Sequence, residues 1–391
     1  MKELTLARYE AQGNDFLITM LTERQLLDLN ASLDTCGLSR SDVARVVCDR
    51  HRGLGSQRGH VHPKGADGFV LGVHNSTDER QADRVRMHLL NADGSVAETS
   101  GNGLACLAMA SFDARIIGTG PSIPFDTDAG EQRCSVLNAD SARLAGPATP
   151  IRADDLAQRR SVEVAMNPVG PGPEIPRQLE ERIRGTFGGD LFCLGTGSVG
   201  NPHLVIALAR PPIGGDRHAL DDQAEELAAA VSKLGRIYES YFSTGINVEF
   251  IWPYRSNPLQ PDQAWTLQMS VWERGAGLTV SCGSGSVVAA TLAHRWGFVR
   301  SPDDVPDIAG DGGTEAQLPS TYRVNMQTAP FPGDSGSSFR YWVLTVPEHL
   351  EAFNRPQLVV EAERVETGLT MRLDEVSRLL DDLVATTDSK R

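Results

Sequence analysis

Two glycine-rich stretches decide the fold of this chain. Residues 91–108 read NADGSVAETSGNGLACLA, and residues 273–290 read ERGAGLTVSCGSGSVVAA. In both stretches a polar segment leads into Gly-x-Gly, and an apolar, alanine-rich segment follows. Ser100-Gly-Asn-Gly aligns with Cys282-Gly-Ser-Gly at an offset of 182 residues, close to half of the 391-residue chain. An offset of this size predicts a duplicated domain rather than a short-period repeat.

The sequence around each copy predicts short strands and few helices. Residues 104–117 and 286–296 are apolar on all sides, which is typical of a helix surrounded by sheet. Two amphipathic helices are predicted at 216–241 and 373–383. β-branched or alternating runs between Gly, Pro, Asn and Asp predict strands at 4–9, 15–20, 68–73, 85–90, 204–209, 247–252 and 266–272. Each half is therefore predicted to be an α/β domain in which a mostly antiparallel sheet wraps around one central helix.

The chain length predicts two domains, because 391 residues are too many for one typical hydrophobic core. We place the N-terminal half at 1–160 and the C-terminal half at 161–370, with the last strands free to return to the first half. Residues 371–391 are predicted to form a C-terminal helix and tail. The crossing between halves is placed in the proline-rich segment 145–177. The segments 56–64 and 302–319 read as polar insertions.

The composition is that of a soluble globular protein and limits the classes of partner. A formal net charge of −14 argues against a general affinity for nucleic acid or anionic membranes. No apolar run approaches the roughly 18 residues of a membrane span, and the first residues lack a basic segment followed by an apolar one. We therefore expect a cytoplasmic protein. The six cysteines are scattered and are expected to be free thiols.

The Gly-x-Gly segments have a chemical consequence as well as a structural one. A helix that begins with Gly-x-Gly presents unpaired backbone N–H groups at its positive end, where they bind a carboxylate well. The same field is expected to lower the pKa of the Cys282 thiol, which would suit it to proton transfer. The alternative for Cys282 is a tight helix entry with an inert thiol.

Seven short segments occur in the order found in diaminopimelate epimerases, and the chain resembles that family over most of residues 4–290. They are QGNDF (12–16), CDRHRG (48–53), GADG (65–68), NADGS (91–95), GNPH (200–203), GINVE (245–249) and ERGAG (273–277). The resemblance implies two pseudo-symmetric α/β domains with the active site in the cleft between them. It also implies interconversion of LL- and meso-diaminopimelate, for lysine and cell-wall precursor synthesis, without pyridoxal phosphate or metal. The implied partner is a small amino-acid substrate, and a homodimer is expected.

The resemblance assigns roles to individual residues. In the family one cysteine removes the α-proton and another delivers a proton to the opposite face; Cys282 matches the second of them. Glu273 and His203 would lie near the reacting centre. The distal end of the substrate would be held by Asn14, Asn91, Asn201, Asn247 and Arg274, and its reacting carboxylate by the helix-end positions Gly101, Asn102, Gly283 and Ser284. The alternative for the asparagines is turn formation, and Arg274 beside Glu273 could be a solvated surface pair.

Ser100 stands where the family has its first catalytic cysteine. Because a hydroxyl is a far weaker acid than a thiol, Ser100 cannot readily remove an α-proton without a neighbouring base. Three explanations stay open: an introduced Cys→Ser change, an isomerase or dehydratase with Cys282 as its sole strong base, or a catalytically silent amino-acid-binding relative. The chain also departs from the family pattern at Gly68, Ala105 and Leu278.

Two other enzyme classes are disfavoured. His60-Val61-His62 could supply two zinc ligands, but no third and fourth ligand lies nearby in the sequence. A dinucleotide-binding oxidoreductase would need G-x-G-x-x-G between a strand and a helix, and neither glycine-rich stretch has it.

Overall fold

The chain is organised as two compact units, Met1–Val164 with Val360–Arg391, and Ala165–Val359. The sequence interpretation divided the chain after residue 160 and allowed the last strands to return to the first half. A computed structural model describes residues 2–55, 64–77, 81–97, 99–138, 159–214, 223–254, 265–299, 321–329, 341–347 and 356–388. His60, His62 and the segment 302–319 lie outside these residues, as does most of 56–64.

The first unit consists of a sheet, a central helix and three outer helices. The helices are α1 (Glu23–Cys36), α2 (Arg40–Val47), α3 (Gly101–Asp113) and, numbered in chain order, α7 (Leu373–Asp388). The strands are β1 (Glu3–Ala11), β2 (Asn14–Thr22), β3 (Gly68–His74), β4 (Val85–Asn91), β5 (Val96–Ala97), β6 (Ile123–Thr127), β7 (Gly130–Val136), β8 (Arg159–Ala165) and β17 (Gln357–Arg372).

The sheet of the first unit runs in the order β17-β1-β2-β3-β4-β6-β7. The pairs β2/β3 and β4/β6 are parallel, and the other pairs in this series are antiparallel. Helix α3 packs against β1, β2 and β7 and is buried from Gly101 to Ser111. Leucines of α1 and valines of α2 form a core with β2 and β3. Helix α1 begins at a capping box of Thr22 and Gln25, which explains the sharp end of β2.

The second unit contains the remaining elements. Its helices are α4 (Arg177–Phe187), α5 (Ala224–Glu239) and α6 (Gly283–Arg295). Its strands are β9 (Gly170–Pro171), β10 (Leu191–Ser198), β11 (Pro202–Leu208), β12 (Asn247–Tyr254), β13 (Trp265–Glu273), β14 (Gly277–Thr279), β15 (Thr321–Thr328) and β16 (Tyr341–Pro347), together with the first residues of β17.

The second unit repeats the topology of the first. The series β10-β11-β12-β13-β15-β16 has parallel pairs at β11/β12 and β13/β15 and antiparallel pairs elsewhere. This is the order and the sense of β1-β2-β3-β4-β6-β7. Helix α6 contacts β10, β11, β12, β15 and β16, and it is buried from Gly283 to Ala293. The predicted fold class, a duplicated α/β unit with a mostly antiparallel sheet around a central helix, is confirmed.

Several helix boundaries differ from the sequence prediction. The helix predicted at 104–117 ends at Asp113, and the helix predicted at 373–383 continues to Asp388. The helices predicted at 104–117 and 286–296 begin three residues earlier, at Gly101 and Gly283, because the residue before each glycine caps the helix. Helix α5 begins at Ala224, and the preceding residues 215–222 are outside the described part of the chain. All six cysteines are free, as predicted. In the part of the chain that the structure describes, no helix has the length and hydropathy needed to cross a membrane.

We expect the central helix of the first unit to contribute strongly to stability. Leu107 in α3 is fully buried, so Leu107→Ala should lower the free energy of unfolding by about 2–5 kcal/mol through lost burial and a residual cavity. Leu27→Ala on α1 is the matched control, since that side chain is 68% exposed and should change stability by no more than about 0.5 kcal/mol. Urea denaturation measures both variants, and equal losses would contradict the assignment of α3 to the core.

Candidate active site

The two central helices begin with the same local structure. Ser100 caps α3 with φ −149° and ψ 123°, and its Oγ accepts a hydrogen bond from Gly103 N–H at 3.0 Å. Cys282 caps α6 with φ −135° and ψ 115°, and its Sγ accepts from Gly285 N–H at 3.4 Å. The 182-residue offset read from the sequence therefore relates two equivalent helix caps. The two units differ in the chemistry of the capping atom.

Glycine at the third helical position leaves room for close neighbours in both units. A Cβ on Gly285 would lie 2.5 Å from Glu249 Oε1, and a Cβ on Gly103 would lie 3.0 Å from the Met87 methyl carbon. The remaining first-turn N–H groups, including those of the buried Gly101 and Gly283, have no acceptor within their helices. Each helix end therefore carries a partial positive charge suited to an anion.

Asn14 and Asn102 come together at the N-terminus of α3. Asn102 Nδ2 donates to Asn14 Oδ1 at 2.5 Å, and Asn14 Nδ2 donates to Asp67 Oδ2 at 3.3 Å. Asn14 begins β2 directly after a tight turn in which Gln12 and Gly13 both have positive φ. The turn thus places Asn14 beside the helix end, 88 residues away from Asn102 in sequence.

A partly buried ionic network supports this position. Asp15, next to Asn14, forms ion pairs with Arg8 and Arg50, and Arg50 also bridges to Asp67. Burial acts to raise the pKa of Asp15, but hydrogen bonds and charge from Arg50, with a further contribution from Arg8, outweigh burial and lower it. Three segments of the family resemblance, 12–16, 48–53 and 65–68, therefore converge on one network.

Asn91 has a different environment from Asn14. Its side-chain amide donates to Ser95 Oγ at 2.9 Å, and its backbone N–H donates to Ser95 O at 2.8 Å. These bonds close the exposed turn between β4 and β5. The contacts of Asn91 match the turn-forming alternative considered from the sequence, and its predicted role in substrate binding stays a prediction.

Three adjacent strands of the second unit place polar side chains on the face covered by α6. His203 on β11 is aligned with Asn247 on parallel β12, and Val205 is aligned with Glu249. Glu249 is in turn opposite Val271 on β13, two residues before Glu273. Because strand residues two apart lie on the same face, His203, Asn247, Glu249 and Glu273 all belong to one face.

His203, Glu249, Glu273 and Cys282 form one polar cluster at the N-terminus of α6. His203 Nδ1 and Glu249 Oε1 are 2.6 Å apart, and both side chains are fully buried. Glu273 accepts hydrogen bonds from the Thr279 hydroxyl and the Cys282 thiol. Ser284 at the helix end and Asn201, just before β11, extend this cluster. Asn201 Nδ2 donates to Ser284 Oγ at 3.2 Å, and the same Ser284 Oγ lies 3.4 Å from Cys282 Sγ.

The expectation that the helix end lowers the pKa of Cys282 is wrong for the free protein. Burial raises this pKa well above its usual value, and the carboxylates of Glu273 and Glu249 raise it further. The hydrogen bonds from Ser284 and Gly285 act in the opposite direction but are outweighed. Burial likewise raises the pKa of Glu273. The resting site therefore holds a neutral thiol hydrogen-bonded to a carboxyl group of increased basicity.

Asn247 and Arg274 interact through the backbone. Asn247 Oδ1 accepts from Arg274 N–H at 2.8 Å, and the exposed guanidinium donates to Thr244 O at 3.2 Å. The Arg274 side chain lies over Gly245, where a Cβ would be 2.6 Å from Arg274 Cδ. Among the described residues Arg274 and Glu273 form no ion pair, so the solvated surface pair considered from the sequence is not observed.

Glu249 is the member of this cluster that sequence reasoning did not assign a role. Its signal was present, because a single acid interrupts the apolar run NVEFIW two residues after Asn247. That spacing places Glu249 on the strand face of Asn247, and burial without a partner is costly for a carboxylate. The acid therefore required a buried partner, which the sequence did not identify and the structure shows to be His203.

Comparison with known proteins relates this chain to diaminopimelate epimerases. The chain is 30% identical over 306 residues to diaminopimelate epimerase of Moorella thermoacetica, covering 76% of this chain and 86% of that protein. It is 29% identical over 307 residues to diaminopimelate epimerase 2 of Nostoc sp., covering 78% and 85%. A crystal structure of a probable proline racemase from Agrobacterium radiobacter superposes with a TM-score of 0.52 at 14% identity, covering 95% and 92%. No family model matches the chain.

The curated relatives define the class of this protein as an isomerase of the amino-acid epimerase type. Within that class the identity to curated relatives is high enough to decide the family. The chain belongs to the diaminopimelate epimerase family.

We expect Glu249 to control the ionisation of Cys282. Replacing Glu249 by Gln removes a negative charge beside the thiol, so the pKa of Cys282 should fall. The rate of alkylation by iodoacetamide, followed against pH in a Cys36→Ser and Cys193→Ser background, should then rise at lower pH than in the parent. Glu363→Gln, in the first unit, is the control substitution. An unchanged pH profile in Glu249→Gln would contradict the electrostatic coupling.

Proposed function

We propose that this protein interconverts LL- and meso-diaminopimelate by proton transfer at the α-carbon, without pyridoxal phosphate or metal, in lysine and cell-wall precursor synthesis. The observation that carries the proposal is the pair of equivalent helix caps, with Cys282 at one and Ser100 at the other. The names of the curated relatives support the choice of diaminopimelate as substrate. The cytoplasmic location and the homodimer stay predictions from the sequence.

In this proposal Cys282 and Glu273 work as a proton relay. The raised pKa of Cys282 keeps the resting thiol protonated, and the raised pKa of Glu273 makes its carboxylate a better proton acceptor than an ordinary glutamate. Transfer of the thiol proton to Glu273 produces the thiolate, which removes the α-proton and becomes a thiol again. When Cys282 gives a proton back to the α-carbon, Glu273 returns its own proton to the resulting thiolate, and the starting state is restored. The imidazole of His203 is a further hydrogen-bonding group at the same helix end.

The helix ends would stabilise the charge that develops on the substrate. Removal of the α-proton pushes electron density onto the adjacent carboxylate, and the family resemblance implies that backbone N–H groups at the ends of α3 and α6 would act as donors to it. Gly101, Asn102, Gly283 and Ser284 are the proposed donor positions. The distal amino-acid end would be held by polar groups, for which Asn14, Asn91, Asn201, Asn247 and Arg274 are proposed.

Ser100 determines how far the reaction proceeds. Its hydroxyl accepts a hydrogen bond from Gly103 N–H and is a weak acid, so it is a poor proton-transfer partner for Cys282. This observation favours a second candidate, an isomerase or dehydratase in which Cys282 is the sole strong base. A silent amino-acid-binding relative is the third outcome that the following experiment distinguishes.

We predict that the protein exchanges the substrate α-proton on the face served by Cys282 and inverts the centre poorly. In D2O, deuterium should enter diaminopimelate faster than stereochemistry is lost, as measured by mass spectrometry and chiral analysis. Cys282→Ala should reduce exchange by about 10²–10⁴-fold, the usual contribution of a positioned proton-transfer group. Ser100→Cys should create or strongly increase epimerisation.

Cys106→Ala is the matched control for Cys282→Ala, because Cys106 is a buried thiol inside α3. It should leave exchange unchanged. Exchange that survives in Cys282→Ala, or efficient two-way epimerisation by the Ser100 protein, would show that the bases are assigned wrongly. No exchange in the parent together with substrate binding would support the silent relative.

We also predict that Arg274 binds the distal carboxylate of the substrate as a two-pronged donor. Arg274→Lys keeps the charge and loses the planar fork, so the affinity for diaminopimelate should fall by about tenfold or more, as measured by calorimetry. Arg177→Lys, at an exposed position on α4, is the control and should bind like the parent. Equal affinities of Arg274→Lys and the parent would remove Arg274 from the substrate site.

A further inference from the structure

The polar cluster at the end of α6 contains buried atoms without partners. His203 Nε2 and Glu249 Oε2 are buried and accept or donate no hydrogen bond, although both side chains are fully shielded from solvent. A buried polar atom without a partner costs free energy and calls for an explanation. The bond between His203 Nδ1 and Glu249 Oε1 uses the other atom of each group. Each of the two side chains thus keeps one free buried polar atom.

The same two side chains lie next to a thiol. One ligand atom each from His203, Glu249 and Cys282 can be chosen such that all three lie within 4.8 Å of one another. An imidazole nitrogen, a carboxylate oxygen and a sulfur form the ligand set that proteins use for Zn²⁺, whereas Mg²⁺ and Ca²⁺ prefer oxygen alone. We propose that His203, Glu249 and Cys282 form a binding site for Zn²⁺ or another thiophilic divalent cation.

The dimensions of the cluster fit this assignment. Zinc bonds of about 2.0–2.3 Å in tetrahedral geometry separate the ligand atoms by roughly 3.3–3.8 Å. Because the three atoms lie within 4.8 Å of one another, each pair needs to approach by about 1.5 Å at most. Three protein ligands leave a fourth position for water or a substrate group, as in zinc sites with an open position.

The charges of the cluster favour a dication. Glu249 and Glu273 bring two carboxyl groups to the thiol, and a bound dication would offset their mutual repulsion. Binding replaces the sulfur–hydrogen bond of Cys282 by a sulfur–metal bond and releases the proton to solvent, with no change in oxidation state. Gly285 permits Glu249 to approach the helix end, since a Cβ there would occupy the same space.

The metal would act as an inhibitor and not as a cofactor. It would occupy the groups to which the proposed function assigns proton transfer, so catalysis and metal binding should exclude each other. Metal binding itself does not rest on the proposed function. Only the inhibition does, and the two can therefore fail separately.

The test is a titration of the purified full chain with Cd²⁺, in which the cadmium–thiolate charge-transfer absorption in the ultraviolet reports binding, and with Zn²⁺ against a chromophoric chelator. We expect one equivalent of either cation per chain. Cys282→Ser should abolish the cadmium–thiolate band, and His203→Gln and Glu249→Gln should each weaken Zn²⁺ binding by about tenfold or more. Zn²⁺ should also suppress α-proton exchange with the same midpoint as its binding.

Two control variants separate this site from other candidates. Cys193→Ser removes a partly exposed thiol of the same unit, and the double variant His60→Ala with His62→Ala removes the histidine pair noted in the sequence. Both should bind like the parent. Absence of the cadmium–thiolate band in the parent overturns the proposal irrespective of how the variants fold. A band that survives in Cys282→Ser also overturns it. So does a band that is lost in Cys282→Ser when His203→Gln and Glu249→Gln bind Zn²⁺ with the affinity of the parent.

Discussion

The structure depends on one constraint, which is that the N-terminus of a buried helix must satisfy its N–H groups without water. Helices α3 and α6 are buried from their first glycine through their eleventh residue. Ser100 and Cys282 each accept one of these N–H groups as caps. The other first-turn donors have no intrahelical acceptor, which makes each helix end a place where an anionic ligand is stabilised.

This constraint explains why small residues surround both caps. Glycine at the third helical position leaves room for Glu249 or Met87 to pack against the helix. The sheet that encloses each helix has the same strand order in both units, and the loop that returns from a short hairpin into the central helix occurs in each. Duplication thus preserved the helix-end environment together with the strands that shield it from solvent.

The two units differ in the groups placed around that common environment. In the first unit, a hydroxyl cap lies near Asn14, which is supported by the Arg8, Asp15, Arg50 and Asp67 network. In the second, a thiol cap lies among His203, Glu249 and Glu273. The proton-transfer groups are therefore concentrated in one unit. Burial and two carboxylates outweigh the helix end in setting the pKa of Cys282, because solvation loss acts on the whole thiolate charge whereas the helix end contributes partial charges.

The sequence by itself determined the duplication, the two central helices and seven of the strands, because the Gly-x-Gly signal and the hydrophobic periodicity are local properties of the chain. The family resemblance also drew attention to Cys282, Glu273 and His203, whose catalytic roles stay predictions. Only the tertiary structure decided that Glu249 pairs with His203 and that the pKa of Cys282 is raised. Both facts depend on burial and on neighbours from strands distant in sequence, and only the packed fold brings those neighbours together.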